Sequence, residues 1–400
     1  MGNNPTVPSA EIILKRGKEE SLRRYHPWIF SGAIHRIDSD PDEGDLVAVL
    51  DSERQFIALG HCQIGSIAVR VLSFRDEPID QTWWTGRILG AYRLRQALGL
   101  VNNPETNCYR LVHGEGDSLP GLIVDIYGKT AVIQAHSVGM YRNRSFIAQA
   151  LKDIYGDRLT AIFDKSSGTV PFKAGLDATD EYLFGTSSDE PVLENGNQFL
   201  VNWEKGQKTG FFIDQRENRA LVGHYSKGRS VLNTFSYTGG FSVYALRGGA
   251  VSVDSVDSSQ RAVELADRNV RLNFGAEAPH RAFAQDAFGY LRDIRDRYDL
   301  IILDPPAFAK HQNVLGNALQ GYKKLNARAI SQIRPGGILF TFSCSQAVSR
   351  EHFRNAVFSG AAIAGRNVRI LHQLTQPADH PVNIYHPEGE YLKGLVLFVE

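Results

Sequence analysis

Leu300-Ile301-Ile302-Leu303 is a short apolar run that stops at Asp304-Pro305-Pro306-Ala307-Phe308. A second run, Ile338-Leu339-Phe340-Thr341-Phe342, stops at Ser343-Cys344-Ser345. Both read as strands, and in an open parallel sheet ligands sit beyond the carboxyl ends of the strands. The carboxylate of one strand end and the thiol of a later one are therefore expected to face a common site.

The same rhythm of strand, loop and helix extends on either side, from about Phe199 to the end of the chain. Val231-Leu232-Asn233-Thr234-Phe235 leads into Ser236-Tyr237-Thr238-Gly239-Gly240 and a helix from Phe241. Val251 to Val256 leads to Asp257 and a helix through Asn269, and Ala282-Phe283-Ala284-Gln285 leads to Asp286. Such alternation predicts an α/β class with a parallel sheet covered on both faces. Segments near Val368–Leu374 and Lys393–Val399 are expected to add a closing strand pair. Residues 12–74 read instead as short strands separated by turns, which predicts a small barrel, with a helix-like basic stretch from Lys15 to Phe30. Residues from about Thr82 to Asn197 read as an α+β module. It opens with a helix whose apolar residues are Ile88, Leu89, Ala91, Leu94, Ala97 and Leu98. Three domains follow: 1–76, 77–198 and 199–400.

Composition narrows the function classes. The 400 residues are 42% hydrophobic and 22% charged, which is ordinary globular usage. Lys plus Arg and Asp plus Glu each number 44, so any hold on a polyanion must come from a local cluster. Three scattered cysteines, Cys62, Cys108 and Cys344, suit neither a disulfide framework nor a zinc site and predict reduced thiols in a cytosolic compartment. The polar N-terminus has no apolar h-region, and no apolar stretch is long enough to span a membrane. A cytoplasmic protein without a bound metal is expected.

The first turn, Ser236 to Gly240, is glycine-rich without being the dinucleotide fingerprint G-x-G-x-x-G. Adjacent glycines let a ligand approach the backbone, and the following helix offers free amides. Asp257 is placed to accept from a ribose and Asp286 from an adenine amine, although each residue type is also an ordinary helix N-cap. Without a pyrophosphate fingerprint, S-adenosylmethionine fits better than a nicotinamide dinucleotide. The cofactor set read from these strand ends is Gln215, Phe235, Tyr237, Gly239, Asp257, Asp286 and Asp304. Gln215 lies in Gly206–Arg216, whose polar residues would reach the amino-acid end or would simply begin a helix.

Carbon 5 of cytosine is a poor nucleophile. Addition of a thiolate to carbon 6 turns it into an enamine able to take a methyl group, which is a covalent strategy. Cys344 is the expected nucleophile, Asp304 the partner of the N3/N4 edge and Phe308 a stacking surface. A lone cysteine after a strand is otherwise a small buried hydrophobe. Asp-Pro-Pro followed by an aromatic also suits methyl transfer to an amino group, which needs no cysteine. Lys15, Arg16, Lys18, Arg23 and Arg24, followed by Tyr25, His26, Trp28 and Phe30, combine phosphate-binding cations with stacking rings. The other reading of that cluster is a solvated face beside a barrel core.

These residues together resemble the bacterial large-subunit ribosomal RNA cytosine-5 methyltransferases that carry an N-terminal PUA domain. The resemblance runs through Arg23–Ala33, Arg110–Gly121, Lys208–Arg216, Asn233–Phe241, Asp304–Pro306, Phe342–Ser345, Ala378–Pro381 and Tyr391–Gly394. It implies a PUA β-barrel, a central α+β domain and a Rossmann-type catalytic domain. It also implies S-adenosylmethionine as donor, 23S ribosomal RNA as partner and Cys344 as nucleophile; a homodimer is compatible with it. Ala307 stands where the best-known members carry lysine, Lys310 lies three residues on, and the stretch Ser167–Gly175 looks short. Pro-Pro rather than Pro-Cys after Asp304 removes the second cysteine of other 5-methylcytosine enzymes and leaves the proton acceptor unassigned. The rival classes are an amino-group RNA methyltransferase and a non-catalytic RNA-binding assembly factor.

Overall fold

The computed structural model describes residues 7–171, 175–187, 190–309 and 314–400. The chain divides into two compact units. One comprises Met1–Val192, Val201–Phe211 and Ala378–Gly389, and the other Leu193–Leu200, Phe212–Pro377 and Glu390–Glu400.

The first unit begins with β1 (Ala10–Leu14), α1 (Glu20–Arg23), β2 (Trp28–Phe30), β3 (Ile34–Ile37), β4 (Leu46–Leu50), β5 (Phe56–Cys62) and β6 (Ile67–Ser73). The sheet order is β2-β6-β5-β4-β1-β3. Its two edge strands, β2 and β3, are joined by the single turn Ser31–Ala33, so the sheet must curl until its edges approach. Ile12, Leu14, Ile29, Val47, Val49, Ala58 and Val69 fill the inside. The helix expected from Lys15 to Phe30 shrinks to the one turn of α1. Tyr25 takes a left-handed φ of 63° and Pro27 follows, which ends the helix and frees Trp28–Phe30 to pair with β6.

The unit continues with α2 (Gln81–Ala97), β7 (Cys108–His113), β8 (Leu122–Tyr127), β9 (Thr130–Ala135), α3 (Val138–Arg142), α4 (Arg144–Tyr155), β10 (Ala161–Asp164) and β11 (Glu181–Gly185). These strands form a sheet in the order β11-β10-β9-β8-β7. The buried residues of α2 are Trp83, Trp84, Ile88, Ala91 and Arg95, whereas Leu94 and Leu98 are exposed. The expected apolar face is thus rotated, because Arg95 has a buried carboxylate to reach. It forms a two-pronged pair with Asp117 and donates to the carbonyl of Asp379 at 2.7 Å. Arg110 clasps Asp125 at 2.8 and 2.9 Å, and Asp125 also accepts from Thr209 at 2.6 Å. Within Ser167–Gly175, residues 172–174 lie outside the described residues.

The second unit opens on a hairpin, β12 (Val192–Glu194) and β13 (Asn197–Phe199), followed by α5 (Arg216–Tyr225). Then come β14 (Ser230–Thr234), α6 (Gly240–Arg247), β15 (Ser252–Asp257), α7 (Gln260–Phe274), β16 (His280–Ala284), α8 (Ala287–Tyr290) and β17 (Leu300–Leu303). The chain ends with α9 (Leu315–Gln332), β18 (Gly337–Ser343), α10 (Arg350–Ala364), β19 (Val368–Leu374) and β20 (Lys393–Val399). The strand order is β16-β15-β14-β17-β18-β20-β19. The pairings from β16 to β18 are parallel, and β20 runs antiparallel between β18 and β19.

The short apolar run of β17 shows why this sheet is buried on both faces. Ile301 and Leu303 pack with Tyr322, Leu325 and Phe353 of α9 and α10. Leu300 and Ile302 pack on the other face with Val222 and Phe241 of α5 and α6. Alternate residues thus feed two cores, which a strand flanked by helices on both faces requires.

One ion pair fastens the hairpin to that second layer. Arg219 donates to both carboxylate oxygens of Glu194 at 2.8 and 2.6 Å, and Tyr244 donates to Glu194 at 3.0 Å. All three are buried. Removing one partner leaves a buried charge, so Arg219→Met is expected to lower unfolding free energy by about 3–5 kcal/mol. Glu194→Met/Arg219→Met together should cost less than the single change, as read by urea unfolding.

Candidate active site

The carboxyl ends of β14, β15, β17 and β18 carry Phe235, Tyr237, Gly239, Asp257, Asp304 and Cys344 of the residues that the sequence singled out. After β14 the backbone makes an unusual turn: Phe235, Tyr237 and Gly239 all have positive φ, at 56°, 43° and 74°. Left-handed backbone at two aromatic residues is costly, which is common where a loop is shaped around a ligand. At Gly239 the requirement is absolute, because a Cβ would lie 2.8 Å from that of Ala266 and 2.9 Å from its Cα. The amide of Asn269 on α7 donates to the carbonyl of Thr238 at 2.9 Å and holds the turn down.

Asp257 ends β15 half-buried. Its two oxygens accept from the backbone of Tyr237 at 3.0 Å and of Ser259 at 2.9 Å. The acid therefore ties two strand-end loops together, and its remaining lone pairs are those a ribose would use. Asp286 is exposed, caps α8 and accepts from Gly289 at 2.7 Å. Its capping role is the ordinary reading of that residue, and among the described residues no second element fastens it in place. Gln215 is buried at the end of a short 3-10 turn, with its carbonyl accepting from Asn218 at 2.6 Å.

The donor set fits a nucleoside with an amino-acid tail. Ser236 is buried in the turn with a hydroxyl that meets no hydrogen-bond partner among the described residues, the kind of polar atom that a ligand or water satisfies. Beside it stand the backbone of a left-handed turn and a carboxylate on the next strand.

On the other side of the switch in strand order, Asp304 is half-buried, directly after β17. Leu303 of β17 is registered with Thr341 of β18, so Asp304 and Ser343-Cys344 leave neighbouring strands at nearly the same level. Cys344 is a half-buried thiol, and not a fully buried small hydrophobe. Both flanking serines are fully buried. Ser343 donates to the hydroxyl of Tyr322 at 2.9 Å, and the Tyr322 and Ser345 hydroxyls bond at 3.1 Å. Ser345 also accepts from the backbone N–H of Ala309 at 3.3 Å, which staples the loop after β18 to the loop after β17. Phe308 lies in that stapled loop with its ring 4.6 Å from Tyr322 and 6.3 Å from Phe288. One side of it is thus packed on the protein. Lys310 lies outside the described residues.

Two contributors were not singled out from the sequence. Tyr322, on α9, is the hub of the serine bonds; nothing in its helical surroundings marks it. Lys393, first residue of β20, is buried and donates to the carbonyl of Ser345 at 2.7 Å. Its signal was present: a lone cation opening the apolar run Gly394-Leu395-Val396-Leu397-Phe398-Val399 must find a polar partner. Burial pushes its amine down to about 8, while the Cys344 sulfur and Glu390 favour its charge and Arg350 opposes it. Burial likewise pushes the Tyr322 hydroxyl up.

Within the first unit, Lys15, Arg16, Lys18, Arg23 and Arg24 are all exposed. Lys15 donates to the carbonyl of Gly32, and Arg23 pairs with Asp51 at 3.0 Å. A cleft of about 320 Å³ brings Lys18 together with Trp28 and Phe30. Trp28 is half-buried, its indole donating to Glu115 at 2.9 Å, while Phe30 is 49% exposed and so does not fill the barrel core. His113 is packed against His380 and Arg110. Among the described residues no cluster of His, Cys, Asp or Glu could hold a metal ion, and no helix is long and apolar enough to cross a membrane.

Residues 169–384 match the family model of S-adenosylmethionine-dependent methyltransferases, and residues 12–74 match a PUA-like domain. The chain is 41% identical to a ribosomal RNA large subunit methyltransferase I from Aeromonas hydrophila, over 97% of this chain and 99% of that one. The corresponding protein of Erwinia tasmaniensis is 41% identical over 96% and 98%. A Streptococcus mutans structure described as a SAM-dependent methyltransferase superposes with a TM-score of 0.83 at 23% identity, covering 97% of this chain and 100% of that one. That superposition speaks for the fold.

The glycine turn yields a direct test. Gly239→Ala adds a clash and a strained φ worth about 1–3 kcal/mol. Calorimetric titration with S-adenosylhomocysteine should show at least about tenfold weaker binding than the parent, with an unchanged circular dichroism spectrum.

Proposed function

Because the chain belongs to the large-subunit ribosomal RNA methyltransferase I family of S-adenosylmethionine-dependent enzymes, we propose that it methylates carbon 5 of a cytidine in 23S ribosomal RNA through a transient bond to Cys344. The observation that carries this reading is the fastening of the Cys344 loop. The thiol is half-buried between two fully buried serines, and Ser345 bonds to the very loop that begins with Asp304. A cysteine kept merely for packing has no need of such a frame.

The residues then divide the work. Thiolate addition at carbon 6 makes carbon 5 nucleophilic, and loss of the C5 proton afterwards expels the thiol. Asp304 would hold the N3/N4 edge, stabilising the protonated ring that accepts the sulfur. When bound, S-adenosylmethionine supplies an electrophilic methyl group. Gln215, Phe235, Tyr237, Gly239, Asp257, Asp286 and Asp304 are proposed to hold it. The target base must leave its stack to reach a site at strand ends. Lys15, Arg16, Lys18, Arg23 and Arg24 are proposed to grip phosphates, with Phe308 against the base. In this reading residues 1–76 bind RNA, residues 77–198 connect, and residues 199–400 carry the chemistry.

RNA containing 5-fluorocytidine cannot lose its C5 substituent as a proton, so it should trap the protein as an adduct that survives denaturing electrophoresis. Cys344→Ala should abolish the adduct and cut methyl incorporation into unmodified RNA by about a thousandfold or more. An adduct that persists in Cys344→Ala, or undiminished methylation by that variant, contradicts the thiol mechanism. The second outcome is what methylation of an exocyclic amino group would give.

A further inference from the structure

Apolar rings that stand together in water mark a surface made for contact. The first unit carries such a group. Tyr25 is 52% exposed and Tyr385 is 49% exposed, and their rings meet with centroids 5.3 Å apart and planes tilted by 48°. Ile384, the neighbour of Tyr385, is 85% exposed. The half-exposed ring of Phe30 is linked to this pair through two imidazoles. His26 lies 6.2 Å from Phe30 and 5.6 Å from His386, and these two histidines directly follow Tyr25 and Tyr385 in the chain. His386 is buried, with its ring 4.3 Å from that of Trp28.

The exposed tip is held on fixed backbone. Residues 378–389 belong to the first unit although the chain reaches them late. The backbone of Arg110 donates to Asp379 at 3.1 Å, and the Asn383 amide donates to the carbonyl of Glu115 at 3.3 Å. The Asn383 side chain in turn accepts from the backbone of Tyr385 at 3.0 Å. A Cβ at Gly116 would fall 2.0 Å from the carbonyl oxygen of Pro381, so the two segments touch backbone to backbone. Tyr25 keeps its left-handed φ of 63°, a conformation that costs energy in an aromatic residue and recurs at ligand clamps. Packing within the unit does not require Ile384 or Tyr385 to face water.

The charges beside the rings narrow the occupant. Exposed Lys18 lines the cleft with Trp28 and Phe30, and exposed Arg24 precedes Tyr25. Among the described residues neither forms an ion pair, whereas Arg23 is taken by Asp51. The nearby acids are engaged: Glu388 lies 3.8 Å from the rings of both His26 and His386, and Glu115 accepts from Trp28 and Arg70. Open cations next to open rings suit a strand that offers phosphates and base faces together. A duplex hides those faces in its stack, and an unpaired strand presents them.

We propose that Tyr25, Phe30 and Tyr385 form a stacking platform for unpaired nucleotides of the RNA substrate, with Lys18 and Arg24 on the phosphates. The inference rests on the RNA reading above and deepens it. The substrate is RNA that is single-stranded beyond the target base, and the late segment carrying Tyr385 shares in holding it. Stacking tolerates any base, so the platform contributes affinity and preference for single strands while leaving the choice of nucleotide to the catalytic unit.

Fluorescence anisotropy on the full chain, at one fixed salt concentration, tests this with labelled oligouridylate and with its duplex with oligoadenylate. Tyr385→Ala should bind the single strand about tenfold more weakly and the duplex as the parent does. Tyr385→Phe keeps the ring and should stay within about twofold of the parent. A Tyr25→Ala/Tyr385→Ala protein with the parental circular dichroism spectrum and the parental affinity for the single strand overturns the proposal. So does an equal loss for strand and duplex. A change of sedimenting mass in Tyr385→Ala with unaltered RNA affinity gives the patch to a second copy of the chain, and also overturns it. A parent that binds neither RNA removes the RNA reading together with the platform. Trapping on 5-fluorocytidine RNA separates the chemistry: binding that depends on Tyr385 without any adduct sinks the covalent step and leaves the platform standing. An adduct formed equally well by the double variant at RNA concentrations below the parental Kd sinks the platform alone.

Discussion

Within the second sheet β14 and β17 lie side by side, yet the chain leaves β14 toward β15 and β16 and comes back to β17 on its other flank. Where strand order reverses in this way, the helices that follow the two central strands diverge and open a crevice at the carboxyl ends. Most of the residues proposed to carry chemistry lie around that opening. The left-handed turn from Phe235 to Gly239 emerges on one side and Asp304 on the other, with Ser343-Cys344-Ser345 one strand further along. A carboxylate and a thiol separated by forty residues of chain leave neighbouring parallel strands at nearly the same level.

Position alone would leave those loops loose, and the structure secures them with short polar links. Asp257 binds two backbone amides, Asn269 binds the glycine turn, and Tyr322 with Ser343 and Ser345 joins the loops after β17 and β18. Apart from the exposed Asp257–Ser259 bond, each link is buried or half-buried, where a missing partner costs about 1–3 kcal/mol, so the frame resists rearrangement. The same economy operates in the first unit, where Arg95 and Arg110 bind Asp117 and Asp125. These are residues of the motif Arg110–Gly121 and its neighbours, which accounts for that motif as structure.

The alternating unit was legible because apolar runs of four or five residues, each closed by an acid or glycine, have few other readings. Strands β14 to β18 and the closing pair β19 and β20 were all visible in that pattern. What escaped had physical causes. Basic and aromatic residues between Lys15 and Phe30 suit a helix by composition, but Tyr25 and Pro27 break it. The face of α2 was misjudged because Arg95 behaves as a core residue once its charge is paired. The hydroxyl of Tyr322 and the amine of Lys393 act through tertiary contacts between elements far apart in the chain, which one-dimensional spacing does not display. Asp257 and Asp286 have the same sequence signature, but only Asp257 joins two loops.

The decisive question is which atom of which base receives the methyl group. The most direct measurement is nucleoside mass spectrometry of large-subunit ribosomal RNA, taken from cells lacking the protein and incubated with the purified enzyme and isotopically labelled S-adenosylmethionine. A thiol mechanism at Cys344 predicts the label in 5-methylcytidine, absent when Cys344→Ala replaces the parent enzyme. Label appearing in an N-methylated purine, formed equally well by that variant, would contradict it.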